Sequence, residues 1–168
     1  MSSYTKQFTI FSKPFIDAAK DVFETMVFTS LKTGKPIVKK GLQSKGEVST
    51  YLKISGVHNP TKKNYLAMLS ISWPKETYLK LSSAMLMEEI TQYNDECSDI
   101  GEEIIKMILG NAKKDLTGLG FSSYVDESIN NQNNMQGLSK DSHVIEIPIE
   151  CSYGKMFMEI YYTDALEL

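Results

Sequence analysis

The stretch "SDIGEEIIKMILGNAKKDL", residues 98–116, constrains the fold more than any other part of the chain. Around it Ile100, Ile104, Ile105, Met107, Ile108, Leu109, Ala112, Leu116 and Leu119 recur at helical spacing, about 100° per residue. They cover roughly half the circumference, so this helix must lie along an apolar partner layer. The opposite arc holds Asp99, Glu103, Lys106, Gly110 and Lys113, a polar ridge facing solvent along about three to four turns.

Strands supply the partner layer. "EVSTYLKISGV" alternates Val48, Leu52 and Ile54 with Ser49, Lys53 and Ser55, the pattern of a half-buried strand. "YLAMLSISW" is more continuously apolar and belongs nearer the sheet centre, with "HNPTKKN" as the hairpin loop between them. Near the C-terminus, Ile145, Ile147, Ile149 and Cys151 share one strand face. After a "SYG" turn, Met156, Met158, Ile160 and Tyr162 alternate in the return strand.

Two further helices are expected. Ser12 and Pro14 start the first, with Phe15, Ala18, Ala19, Val22, Phe23, Met26 and Val27 at helical spacing and Gly34 and Pro36 behind it. Pro74 opens the second, whose stripe is Tyr78, Leu81, Met85 and Leu86. "KPIVKKGL" reads as an edge strand guarded by lysines. Residues 126–142, "DESINNQNNMQGLSKDS", have no apolar period and are expected to form a mobile loop. The order is α+β: an αββ unit used twice around one antiparallel sheet packed against long helices, in a single domain.

The 168 residues, 42% apolar and 23% charged, suffice for one domain with its own core. A net charge of −3 offers no surplus of cations to neutralise phosphates, which argues against a nucleic-acid partner. No stretch approaches the roughly 18 apolar residues of a membrane span, and "MSSYTKQFTI" is no secretory leader. A soluble cytoplasmic protein is expected.

Cys97 and Cys151 are too few for a disulfide framework and read as two buried thiols. With His58 and His143 they show none of the short spacings that gather zinc ligands, so no metal or cofactor is expected. Nucleophile-elbow, Walker and dinucleotide motifs are absent from the sequence. The lysines at 32, 35, 39, 40 and 45 form a basic run, read either as a solvated edge or as steering for an acidic partner surface.

The ridge admits two readings. Charges one turn apart stabilise a helix by a few tenths of a kcal/mol per pair and need no other purpose. Gly110, however, costs about 1 kcal/mol relative to alanine on an exposed helical face, and it lets another backbone come close.

"PFIDAAKDVFETM", "ISGV", "LSISWPKETYLKLSSAMLMEE" and "GEEIIKMILGNAKKDL" resemble segments of the CheX branch of the CheC/CheX/FliY family of bacterial chemotaxis proteins. That resemblance implies a pseudo-duplicated, CheC-like α+β fold and a homodimer. It also implies removal of the phosphoryl group from the receiver-domain aspartate of phosphorylated CheY, with any Mg²⁺ carried by the receiver. The family's signature helix reads Asp or Ser, three residues, Glu, two residues, Asn. Asp99 and Glu103 match its first two positions, and Lys106 stands where the asparagine belongs.

On that resemblance Glu103 and Lys106 are the catalytic candidates and Asp99 and Gly110 the partner-contact candidates. A carboxamide can accept a hydrogen bond from the attacking water, whereas an ammonium has three donors and no acceptor. Losing such a positioned group costs on the order of 10²- to 10⁴-fold in rate. The implied function is therefore receiver binding with slow phosphatase activity, or else a non-catalytic receiver-binding or dimeric adaptor. The one other Glu-x-x-Asn spacing, Glu127 to Asn130, falls in the Asn-rich segment without helical periodicity.

Overall fold

The structure, a computed structural model, describes residues 3–40, 45–122, 124–130 and 143–164. In chain order these form α1 (Ser3–Met26), β1 (Lys32–Thr33), β2 (Ile37–Lys40), β3 (Val48–His58) and β4 (Lys63–Trp73). There follow α2 (Lys75–Leu86), α3 (Asp95–Ser98), α4 (Ile100–Gly118), β5 (Tyr124–Asn130), β6 (His143–Cys151) and β7 (Gly154–Asp164). The strands make one antiparallel sheet in the order β1-β6-β7-β4-β3-β5, with β2 also on the outer side of β6.

The duplication is built into the pairing. The hairpins β3–β4 and β6–β7 meet at β4 and β7, whose ladder is centred near Met68↔Tyr161 and Leu69↔Ile160. Each αββ unit also contributes a leading strand to the other unit's hairpin: β2 joins β6, and β5 joins β3. The two long helices α1 and α4 pack side by side. Under them lies the main core, with Leu52, Ile54, Leu69, Ile71, Met158, Ile160 and Tyr162 each no more than 1% exposed.

Three expectations change. Helix α1 begins at Ser3 and runs through Pro14, which was expected near its start. An interior proline costs about 3 kcal/mol, and Phe11 on the preceding turn offsets it. Its ring packs against Phe15, Tyr65, Phe121 and Tyr162 at centroid distances of 4.9 to 5.5 Å. The helix ends at Met26, well before Gly34, because Phe28 turns left-handed (φ 60°) and the Thr29 amide donates back to the Phe23 carbonyl. Residues 126–130 of the expected loop belong to β5, where main-chain pairing to β3 from Thr50↔Asn130 to Ser55↔Tyr124 gives polar residues a ladder. The rest of that segment, 131–142, lies outside the described residues.

The far face of the sheet is more polar and still closed. Glu146 and Glu159 sit directly opposite each other on β6 and β7, each 1% exposed. Lys39 from the edge strand β2 bridges them, its Nζ 2.7 Å from Glu146 and 3.0 Å from Glu159, and Lys45 adds a 2.7 Å contact to Glu146. Two lysines of the basic run thus pair with buried carboxylates, Lys39 from beneath the edge strand and Lys45 from a half-exposed position. Burial pushes Glu159 above the ordinary carboxylate range; Glu146 meets the same penalty, but its bonds to Lys39 and Lys45 outweigh it and hold its carboxyl below that range.

Helix α4 is set in place at its first turn. Asn94 caps α3, its Oδ1 accepting from the Cys97 amide at 3.1 Å while its own amide donates to Cys97 Sγ at 3.2 Å. The buried Tyr78 hydroxyl donates to the Cys97 carbonyl and accepts from the Gly101 amide at 3.0 Å, joining α2, α3 and α4 at one atom. Burial raises the phenol's pKa far above the physiological range, so it stays a neutral donor. Gly101 permits the approach: a Cβ there would stand 3.3 Å from the Trp73 ring and 3.4 Å from Thr50.

Tyr78→Phe leaves a buried carbonyl and amide without their shared partner and should cost about 1–3 kcal/mol in urea unfolding at unchanged m-value. Glu146 has a depressed folded pKa, so its stabilisation is present above the ordinary carboxylate pKa and is lost as pH falls through the folded value. Glu146→Gln should therefore flatten the acid limb of a stability–pH curve while lowering stability at neutral pH.

Candidate functional site

The apolar half of α4 is buried as its spacing requires: Ile100, Ile104, Ile105, Ile108, Leu109, Ala112 and Leu116 are at most 3% exposed. Met107 is half-buried, and Leu119, just past the helix end, is 41% exposed. Burying side chains of this size contributes about 1.5–3 kcal/mol each, which fixes the rotation of the helix about its axis. All five ridge residues, Asp99, Glu103, Lys106, Gly110 and Lys113, are consequently exposed.

Asp99 occupies the joint between α3 and α4, and its carbonyl accepts from the Glu103 amide at 3.0 Å. Its backbone is already helical (φ −88°, ψ −9°), and its side chain makes no capping bond. Glu103 stands in the first turn, where the partial positive charge of the helix terminus favours a carboxylate. Outside its own stretch of helix, Gly110 has no atom within 4 Å of where a Cβ would lie, so packing inside the subunit does not demand a glycine there.

Lys106 does not pair with Glu103. Its Nζ donates to Glu102 Oε1 at 2.6 Å, with side-chain exposures of 55% for the lysine and 28% for the glutamate. The partner is four residues back, and Glu before Lys at that spacing is the better-oriented helical pair. Sequence reasoning fixed on Glu103 and passed over Glu102, although the i, i+4 order was there to be read. The ridge carboxylates Asp99 and Glu103 thus stand near an ammonium already tied to Glu102, the less exposed of the two adjacent glutamates.

The other candidates stay apart from this face. Glu127 and Asn130 lie in β5 and not on a helix. His58 Nδ1 is 2.8 Å from Thr61 Oγ1 at the β3–β4 turn, its ring stacked on Phe121 at 4.4 Å, and His143 is exposed at the start of β6. Cys97 is fully buried, whereas Cys151 is only half-buried; both are free thiols. Among the described residues no group of three His, Cys, Asp or Glu side chains could hold a metal, and no helix is long and apolar enough to cross a membrane.

Comparison with known proteins bears on this arrangement. The family model described as chemotaxis phosphatase CheX matches residues 61–150. No curated protein sequence matches the chain. Among solved structures, a chemotaxis protein CheX from Desulfovibrio desulfuricans is 28% identical with a TM-score of 0.76, covering 91% of this chain and 99% of that one. A CheC-like superfamily protein from Shewanella sp. PV-4 is also 28% identical, with a TM-score of 0.75, covering 92% of this chain and 97% of the other. The fold is shared as well with the Borrelia burgdorferi CheX–CheY–BeF3–Mg²⁺ complex, at 23% identity and TM-score 0.71, covering 90% of this chain and 97% of that one. With a family match across more than half its length and a CheC-like fold throughout, the chain belongs to the CheX family.

Proposed function

We propose that this chain docks on a phosphorylated receiver domain of the CheY type through the exposed ridge of α4 and hydrolyses its aspartyl phosphate slowly. The observation that carries the reading is the openness of the ridge: Asp99, Glu103, Lys106 and Gly110 all face outward from one rigid helix. A relative has been captured with CheY, BeF3 and Mg²⁺, where BeF3 is the chemical stand-in for a phosphoryl group.

The chemistry divides between the partners. An aspartyl phosphate in a receiver already has Mg²⁺ and a lysine to hold its oxygens, and what it lacks is an aimed water. Glu103 pairs with that lysine and fixes the register, Asp99 and the bare backbone at Gly110 fill out the contact, and Lys106 reaches a phosphoryl oxygen. The ammonium has no lone pair for water, so turnover is slow compared with a site bearing asparagine. The same feature supports a second reading, a receiver-binding adaptor without turnover. Such a partner works in the cytoplasm, and a second copy of the chain would add along β2, an edge strand where Ile37 and Val38 are 49% and 66% exposed.

The test is to mix the protein with a phosphorylated CheY-type receiver and follow phosphate loss. Acceleration is expected, abolished by Glu103→Ala and raised about 10²-fold by Lys106→Asn. Binding without acceleration would establish the adaptor instead, and neither binding nor acceleration with any receiver would end both readings.

A further inference from the structure

Gly110 is the barest point on the ridge, and its neighbours are cationic. On a helix surface the nearest residues are those three and four away, with Cβ atoms about 5–6 Å apart. For Gly110 these are Lys106, Lys113 and Lys114, all exposed, and the half-buried Met107. With no Cβ of its own and no atom from outside its helix near that place, Gly110 leaves a notch of open backbone flanked by three ammonium-bearing side chains.

The three ammoniums are not equally committed. Lys106 is held by Glu102 at 2.6 Å. Lys113 has Leu109, Gly110, Leu116 and Thr117 at three- and four-residue spacing, and Lys114 has Gly110, Asn111, Thr117 and Gly118, so neither meets a carboxylate along the helix. Asp17 and Asp115 line the groove between α1 and α4 together with Lys114, but Asp17 pairs with Lys13 at 2.6 Å and Asp115 acts on that same ammonium. Among the described residues neither Lys113 nor Lys114 makes an ion pair. The helix dipole does not account for them, because its effect is confined to the last turn, and the last turn of α4 holds no basic residue.

We infer that Lys113 and Lys114, beside the open backbone at Gly110, receive a surface carboxylate of the phosphorylated receiver in the docking proposed above, on which this inference rests. That anion is a separate group from the phosphoryl. Lys113 and Lys114 stand seven and eight residues beyond Lys106, about 10–12 Å along the axis, which exceeds the span of one phosphoryl group. The missing Cβ at 110 lets the partner's backbone come close enough for a short acidic side chain to meet both ammoniums. With Asp99 and Glu103 toward one end of the ridge and these lysines toward the other, the ridge has an electrical direction. It accepts a receiver with its cationic group toward Glu103 and its anionic group toward Lys113 and Lys114, and it opposes the reversed orientation through like charges.

The experiment compares the parent protein with Lys113→Glu, Lys114→Glu and the double variant, all at exposed positions. It measures affinity for a CheY-type receiver loaded with BeF3 and Mg²⁺, and phosphate release from the same receiver when phosphorylated. The double variant should bind about 10- to 100-fold more weakly, mainly through slower association, and the parent's affinity should fall more steeply with added salt than the variant's. Phosphate release at saturating protein should keep the parent's rate, because neither lysine touches the reacting group. Changing the receiver's exposed carboxylates to lysine one at a time should find one that restores binding to the double variant. Unchanged affinity in the double variant, a lowered rate at saturation, or no restoring change on the receiver would overturn the carboxylate assignment while the docking reading stands. Absence of binding to the BeF3-loaded receiver by the parent protein would overturn both.

Discussion

The arrangement of this molecule depends on the Tyr78 hydroxyl between the Cys97 carbonyl and the Gly101 amide. At this point three helices converge on the sheet, and the backbone groups at their ends are buried where water cannot reach them. A buried carbonyl or amide without a partner costs about 1–3 kcal/mol, and one phenol satisfies one of each. Trp73 and Tyr93 flank its ring at 5.2 and 5.9 Å, so the hydroxyl has little freedom to move. Once the first turn of α4 is fixed there, each later residue follows at about 100°. A slip of one residue would put Glu103 in the buried place of Ile104 and Ile105 in the exposed place of Lys106, which the burial of the isoleucine row forbids.

The duplicated plan lays α1 and α4 side by side, and α1 has an exposed charged face of its own at Lys13, Lys20, Asp21 and Glu24. On α1 Lys13 and Asp17 pair at 2.6 Å, an exposed i, i+4 contact of the kind worth a few tenths of a kcal/mol. The exchange of leading strands makes the two units inseparable, since β2 finds its hydrogen bonds on β6 and β5 finds its own on β3. Lys39 extends that dependence by carrying a cation from the first unit to the carboxylates of the second. The sheet beneath α4 is thus tied together across both units by main-chain pairing and by Lys39.

How much of this was legible depended on whether the deciding force was local. The span and rotation of α4, the hairpins and the lysine-guarded edge could be read because alternation and helical period report burial directly. Pro14 misled because the energy that carries α1 through it comes from Tyr65, Phe121 and Tyr162, distant in sequence from Phe11. The strand at 126–130 was hidden because main-chain pairing with β3 does not require apolar side chains. Leu86 was taken as part of a buried stripe and is 39% exposed, since α2 ends there and Met87 turns left-handed (φ 54°). Glu146 and Glu159 alternate with isoleucines and methionines as solvent-facing residues would, and only the return of Lys39 across the sheet edge explains their burial. At the ridge the residues were legible and the partnership was not: Lys106 chose between two adjacent glutamates, and helix geometry favoured the one four residues back.

That choice matters because an ion pair on an open helix and the same pair beneath a docked protein are physically different objects. In water the Glu102–Lys106 contact is screened and worth about 0.3–0.5 kcal/mol. Under a partner the local dielectric falls, and the same charges interact several times more strongly. A side-chain amide, being neutral, gains less from the change. In the docking proposed above, the strength of the Glu102–Lys106 pair therefore rises with the exclusion of water from the interface.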